Sequence, residues 1–260
     1  MIDIENAKKE FKKYTDNYDR NNGRIRVKIQ HSYRVAENSL KISKSLRLNK
    51  EEQDLAELIG LLHDIGRFEQ IKKYNTYSDA NTIDHATLGT KILFEDRCIR
   101  KFVQCDKYDK IIRTAIDNHN KLKIQEGLTE KELLYCKIIR DADKLDIYNI
   151  VTTENIKDAV SFKTEDIASE ILTEKIYNEF FKKETITYSN MKTNIDLMVA
   201  WIGYIYDINF KESFKMINEK QYISKIVNRI EFKDKETIER MKEIEKFANE
   251  YIEEKIKKDD

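Results

Sequence analysis

At 260 residues the chain has room for one large helical domain or for a core with an appendage, and we expect a body over 1–150 followed by a C-terminal extension over 151–260. Lys+Arg and Asp+Glu each number 48, so no global charge bias draws the chain to nucleic acid or to an anionic membrane, although a local basic pocket stays possible. With 37% charged residues and no proline, the composition argues against a sheet fold rich in tight turns and favours an all-α one whose helices keep solvated outer faces.

Apolar residues recur at helical spacing along almost the whole length. The pattern predicts helices over 5–18, 25–46, 50–64, 85–95, 108–120, 130–146, 165–182, 190–207, 210–229 and 235–257. Two starts are marked by capping boxes, Asn49 with Glu52 and Thr129 with Glu132. Asp84 is a further N-cap candidate, ahead of a short helix from Ala86 to Phe94. Residues 66–84, with Gly66, Asn75, Ser78, Asp79 and Asn81, and residues 120–129, with Gly127, read as loops.

In the C-terminal part, Ile195, Met198, Val199, Ile202 and Tyr206 form an apolar stripe around Trp201, which reads as core. We expect these helices to pack on the body, where they would cover a substrate pocket or form a dimer contact. The Lys/Glu-rich end keeps Met241, Ile244, Phe247, Ala248, Tyr251 and Ile252 in register as an amphipathic helix. The stretch Leu197 to Tyr206 is about half of the ~20 residues a membrane span needs, and the first residues lack the apolar run of a signal peptide. Cys98, Cys105 and Cys136 form neither a C-x-x-C pair nor an even set, so reduced thiols in a soluble cytoplasmic protein are expected.

The chain has four histidines, His31, His63, His85 and His119. His63 and Asp64 close an apolar helix that carries Ala56, Ile59, Gly60 and Leu62, a rigid base for two polar groups. His63 can ligate one ion while the two oxygens of Asp64 reach over it or bridge two ions. His31 stands beside Val27, Val35 and Ile42, and His119 ends a segment with Ile111, Ile112, Ala115 and Ile116, so each can turn inward. His85 would sit in the first turn after Asp84, where the helix dipole favours the neutral imidazole that ligates metal. Taken singly, each of these histidines is more often a hydrogen-bonded packing residue than a ligand. A distant acid is also needed, and the run Arg-Asp-Ala-Asp-Lys-Leu-Asp offers Asp141, Asp143 and Asp146 without spacing choosing among them.

With His31, His63-Asp64 in His-Asp-Ile-Gly-Arg, and Ala-Asp-Lys-Leu about 80 residues later, the sequence resembles the HD-domain superfamily of metal-dependent phosphohydrolases over roughly 25–150. The resemblance selects Asp143 and implies an all-α, compact HD-domain helical core, here with additional C-terminal helices. His85 in His-Ala-Thr-Leu-Gly and His119 in Ala-Ile-Asp-Asn-His look like the extra histidines of the binuclear branches, which include cyclic-dinucleotide phosphodiesterases and dinucleoside tetraphosphate hydrolases. The implied ligand set is His31, His63, Asp64 and Asp143 for one ion and Asp64, His85 and His119 for a second. Two departures argue against cyclic di-GMP as substrate: Asn118 stands where that branch has a paired histidine, and its Gly-Tyr-Pro signature cannot occur without proline. Mononuclear nucleotidases and deoxynucleotide triphosphohydrolases need only the first four ligands, so their substrates stay open.

Imidazoles and carboxylates without thiolate suit divalent ions, Mn or Fe first, with Mg, Co, Ni or Zn allowed. Water on such ions loses a proton near neutral pH and attacks phosphorus in line, which makes phosphoester or phosphoanhydride hydrolysis, most simply of a nucleotide, the expected reaction. Arg67 and Lys144 are the cations expected to act on the phosphate and to bind substrate, with Lys28 a third binding candidate; otherwise all three are surface charges. The rival readings are a non-catalytic metal- or nucleotide-binding sensor of the same fold and a helical interaction protein whose histidines are structural.

Overall fold

The computed structural model describes residues 2–154 and 167–258 and shows, among them, helices and no strand. Two compact units follow each other along the chain, Met1–Asp146 and Ile147–Asp260.

The first unit contains α1 (Ile4–Thr15), α2 (Gly23–Ser45), α3 (Lys50–Leu62), α4 (Ile65–Tyr74), α5 (His85–Thr90), α6 (Ile99–Phe102), α7 (Asp109–Asn118) and most of α8 (Glu130–Thr153). α2 and α3 pack extensively against each other. They lie close because α3 carries Gly60 at the crossing: a Cβ there would stand 2.8 Å from the Ala36 Cα and 2.9 Å from the Val35 carbonyl oxygen. The expected capping box at Asn49 and Glu52 starts α3, the Thr129 and Glu132 side chains make the matching pair ahead of α8, and Asp84 caps α5 through the Thr87 amide.

The region read as a loop over 66–84 divides. Residues 65–74 form α4, and only 75–84 is irregular. Gly66 suggests a break from sequence, but in the fold it is a packing glycine: its absent Cβ would lie 2.2 Å from the His85 carbonyl oxygen and 2.6 Å from the Gly89 nitrogen, so α4 and α5 cross at this point. Asn75, in a left-handed conformation (φ 50), ends α4 instead. After α5 the chain makes a π-helical turn over Lys91–Glu95, then the short α6 that periodicity did not reveal. α8 continues past the expected end at 146 to Thr153.

The second unit contains α9 (Glu174–Phe180), α10 (Asn194–Ile202), α11 (Lys211–Lys220), α12 (Tyr222–Val227) and α13 (Lys235–Lys257). The helix expected over 165–182 begins outside the described residues and is interrupted before Glu174. The one expected over 210–229 breaks at Gln221, whose φ of 51 ends α11 and opens α12. The apolar stripe is buried as read: Ile195, Met198, Val199 and Ile202 are all at most 1% exposed. On α13, Met241, Ile244, Ala248 and Ile252 are buried, and the rings of Phe247 and Tyr251 meet Phe180, Phe181 and Tyr206 edge-on. No helix among the described residues is long and apolar enough to cross a membrane.

Candidate metal centre

All four histidines and both ligand aspartates named from sequence come together inside the first unit. His31 projects from α2, His63 and Asp64 form the two-residue bend between α3 and α4, His85 opens α5, His119 follows the last residue of α7, and Asp143 projects from α8. The glycine crossings set the spacing: Gly60 brings the end of α3 to α2, and Gly66 brings α4 to the His85 turn.

The atoms fall into two groups that share Asp64. In the first, His31 Nε2 lies 3.1 Å from His63 Nε2, 3.1 Å from Asp143 Oδ1 and 3.4 Å from Asp64 Oδ2, and His63 Nε2 is 3.6 Å from both carboxylates. In the second, His85 Nε2 lies 3.0 Å from His119 Nε2 and 3.2 Å from Asp64 Oδ1, with His119 Nε2 3.7 Å from the same oxygen. Asp64 thus turns one oxygen to each group. His31, His63 and Asp64, and again Asp64, His85 and His119, are buried sets able to hold a metal ion.

The tautomers explain why these sets suit a cation. His63 Nδ1 faces the Gly60 carbonyl at 2.8 Å and His119 Nδ1 faces the Ile116 carbonyl at 2.6 Å; a carbonyl only accepts, so each Nδ1 carries the hydrogen. His31 Nδ1 donates to Asp146 Oδ2 at 2.7 Å and His85 Nδ1 to Asp79 Oδ2 at 2.6 Å. With each neutral ring protonated at Nδ1, four Nε2 lone pairs point inward and meet in pairs 3.0 to 3.1 Å apart. Facing lone pairs repel unless a cation or a proton lies between them. The donor set therefore fits divalent ions.

The electrostatics agree. Burial works against ionisation of Asp64, yet Lys28 and the surrounding histidines hold its carboxyl well below the usual range. Burial likewise opposes a charged Asp143, and hydrogen bonds from His31 and His63 outweigh it. At His31, burial and the Lys28 charge disfavour imidazolium, but Asp143, Asp146 and Asp64 prevail and push it up to about 10. Without an ion, the first group takes up a proton as its cation.

The three cations named from sequence take different places. Lys28 Nζ bonds Asp64 Oδ2 at 2.7 Å. Arg67 points its Nε toward Asp64 Oδ1 at 3.7 Å, but its Nη1 is engaged by Gln70 Oε1, the Tyr77 carbonyl and Asp79 Oδ1 at 2.7 to 2.9 Å. Lys144 is buried on α8 and leaves that helix about 100° around from Asp143.

Sequence reasoning placed Asp79 only as a loop residue with no part in the site and left Asp146 as one of three candidate acids. Asp143 and Asp146, one helical turn apart, both contact His31, the first at Nε2 and the second at Nδ1. That spacing of three is the signal that could have assigned both. Asp79 lies in an irregular segment, and no periodicity points to it.

A family model, described as HD domain, matches residues 29–148, a span that includes every one of these histidines and aspartates. No curated protein and no solved structure matches the chain.

Proposed function

Starting from residues 29–148 as an HD domain, the domain of a superfamily of metal-dependent phosphohydrolases, we propose that this protein hydrolyses a phosphoester or phosphoanhydride bond, most simply of a nucleotide, using two divalent ions. The observation that carries the reading is the pair of Nε2 couples joined by the two oxygens of Asp64. His31, His63, Asp64 and Asp143 would hold one ion, and Asp64, His85 and His119 the other. Mn or Fe suits this nitrogen and oxygen set best. When bound, such ions polarise a phosphoryl oxygen and lower the pKa of water.

The protein's own groups do the remaining work. The Nδ1 hydrogen bonds fix each ring so that Nε2 needs no reorganisation, which is worth more in a dry site than in water. Lys28 and Arg67 set two positive charges beside Asp64, where they would balance phosphate oxygens as charge develops. Tyr77 lies under both cations, 5.4 Å from Lys28 Nζ and 5.8 Å from Arg67 Cζ, and limits their swing. Asp143 is 16% exposed against 3% for Asp64, so solvent and substrate would reach the cluster from the Asp143 side. The cytoplasm suits a chain whose three cysteines are all free thiols.

The test is turnover of bis-p-nitrophenyl phosphate and a nucleotide panel with Mn, by wild type and Asp64→Ala. Hydrolysis by the wild type that is lost in Asp64→Ala supports the reading. Tight nucleotide binding without turnover would replace it with a sensor of the same fold, and full activity in Asp64→Ala would refute it.

A further inference from the structure

Each half of the cluster contains one histidine held by a backbone carbonyl of its own turn and one held by a carboxylate. The two carboxylates are built differently. Asp146 projects from α8, is 1% exposed, and fastens its other oxygen to Arg34 Nε at 2.5 Å. Asp79 lies in the irregular segment 75–84 and is 28% exposed.

What holds Asp79 in place is a small network reaching out from α4. Gln70, fully buried, directs the two hydrogens of Nε2 at three acceptors, Asp79 Oδ1 at 2.9 Å, Thr82 Oγ1 at 3.0 Å and the Ile83 carbonyl at 2.9 Å. Its Oε1 accepts from Arg67 Nη1, which also binds Asp79 Oδ1 and the Tyr77 carbonyl. Tyr77 Oη donates to the Arg24 carbonyl at 3.1 Å, and Asn120 Nδ2 approaches Asp79 Oδ2 at 3.5 Å.

The halves also differ in donors. Four side chains converge on the His31 half and three on the His85 half, with Asp64 counted in both. A carboxylate on the far nitrogen of a ligating imidazole fixes its tautomer and raises its basicity, and losing it typically weakens metal binding about 10–100-fold. The half with fewer donors is therefore also the half whose carboxylate depends on a segment outside any helix.

Resting on the two-ion reading above, we propose that Asp79 is a positioning residue that sets occupancy of the His85/His119 half. The two ions then bind unequally: the His31/His63/Asp143 ion is tight, and the His85/His119 ion exchanges under control of the segment 75–84. Arg67 in this account is first a clamp on Asp79, and its approach to Asp64 is the second of its two roles.

The test is stepwise Mn(II) titration of tag-free, chelator-stripped protein, followed calorimetrically and by the spin-coupled signal of an ion pair. Wild type is expected to fill in two steps. Asp79→Asn should weaken only the weaker step, by about 10–100-fold, and Asp146→Asn only the tighter one. In a His85→Ala background, which leaves one ion, Asp79→Asn should change nothing while Asp146→Asn still weakens binding; general damage to the fold would weaken it in both. Two wild-type steps with an Asp79→Asn titration that is unchanged, or weakened equally in both, overturn the inference and leave the two-ion reading intact. A wild type that takes up one ion or none overturns the two-ion reading, and the inference with it.

Discussion

The two units bury different kinds of side chain. Among the described residues of the second, the buried polar side chains are Asp196, Ser213 and Thr237. Two of them pin local backbone: Asp196 closes the capping box of α10 with Thr193 and accepts from Thr173, and Thr237 Oγ1 accepts the Leu172 amide. In the first unit the buried polar side chains include all four histidines with Asp64, Gln70, Asp141 and Asp146, and most of these converge on one point. Burying charge is unfavourable unless it is paired, and a stable fold needs no such concentration. The contrast separates polar groups that serve the fold from polar groups that the fold serves.

That contrast can be broken by mutation, and the largest effect is expected at its centre. Asp64→Ala removes the only carboxylate common to both halves and should cost at least ~10³-fold in metal-dependent turnover together with metal content, read by activity and elemental analysis. Gly66→Ala forces a Cβ against the His85 backbone and should destabilise the first unit by roughly 1–3 kcal/mol by denaturant melting, lowering metal affinity with it. Asp196→Ala, which removes the N3 partner of the Thr193 capping box and the hydrogen bonds it accepts in the second unit, should cost about 0.5–2 kcal/mol and leave metal affinity unchanged. A loss of metal from Asp196→Ala would erase the distinction between the units.

A smaller, pH-dependent effect sharpens the same point. In the metal-free protein His31 is raised from its ordinary value to about 10, so the stability its charge contributes is full below about pH 6.5 and is lost as pH rises toward 10. A metal ion must displace that proton, so its stabilising effect should grow over the same interval. Melting temperatures of stripped and Mn-loaded protein from pH 6.5 to 9.5 should diverge with increasing pH; parallel curves would remove His31 from the ligand set.

Much of this was legible in the sequence because helices announce themselves locally. The Asn49 and Thr129 capping boxes, the Asp84 cap and the stripe around Trp201 each rest on residues within a few positions of one another. The convergence of the histidines with Asp64 and Asp143 was legible for a different reason: histidines are few, and a family resemblance tied them together. What stayed hidden depends on tertiary contact. Gly66 reads as a breaker until His85 is known to lie against it, and Gln221 gives no sign of its left-handed turn. Asp79 has no local pattern, since its role is set by His85, Arg67 and Gln70 from separate turns of the chain.

The most direct test of the central claim is an anomalous-scattering map from crystals of the tag-free protein grown with Mn(II). The account predicts two peaks about 3.5–4 Å apart, one bounded by His31, His63, Asp64 and Asp143 and the other by Asp64, His85 and His119. A map with no peak among these residues, under conditions in which the protein is intact, would contradict it.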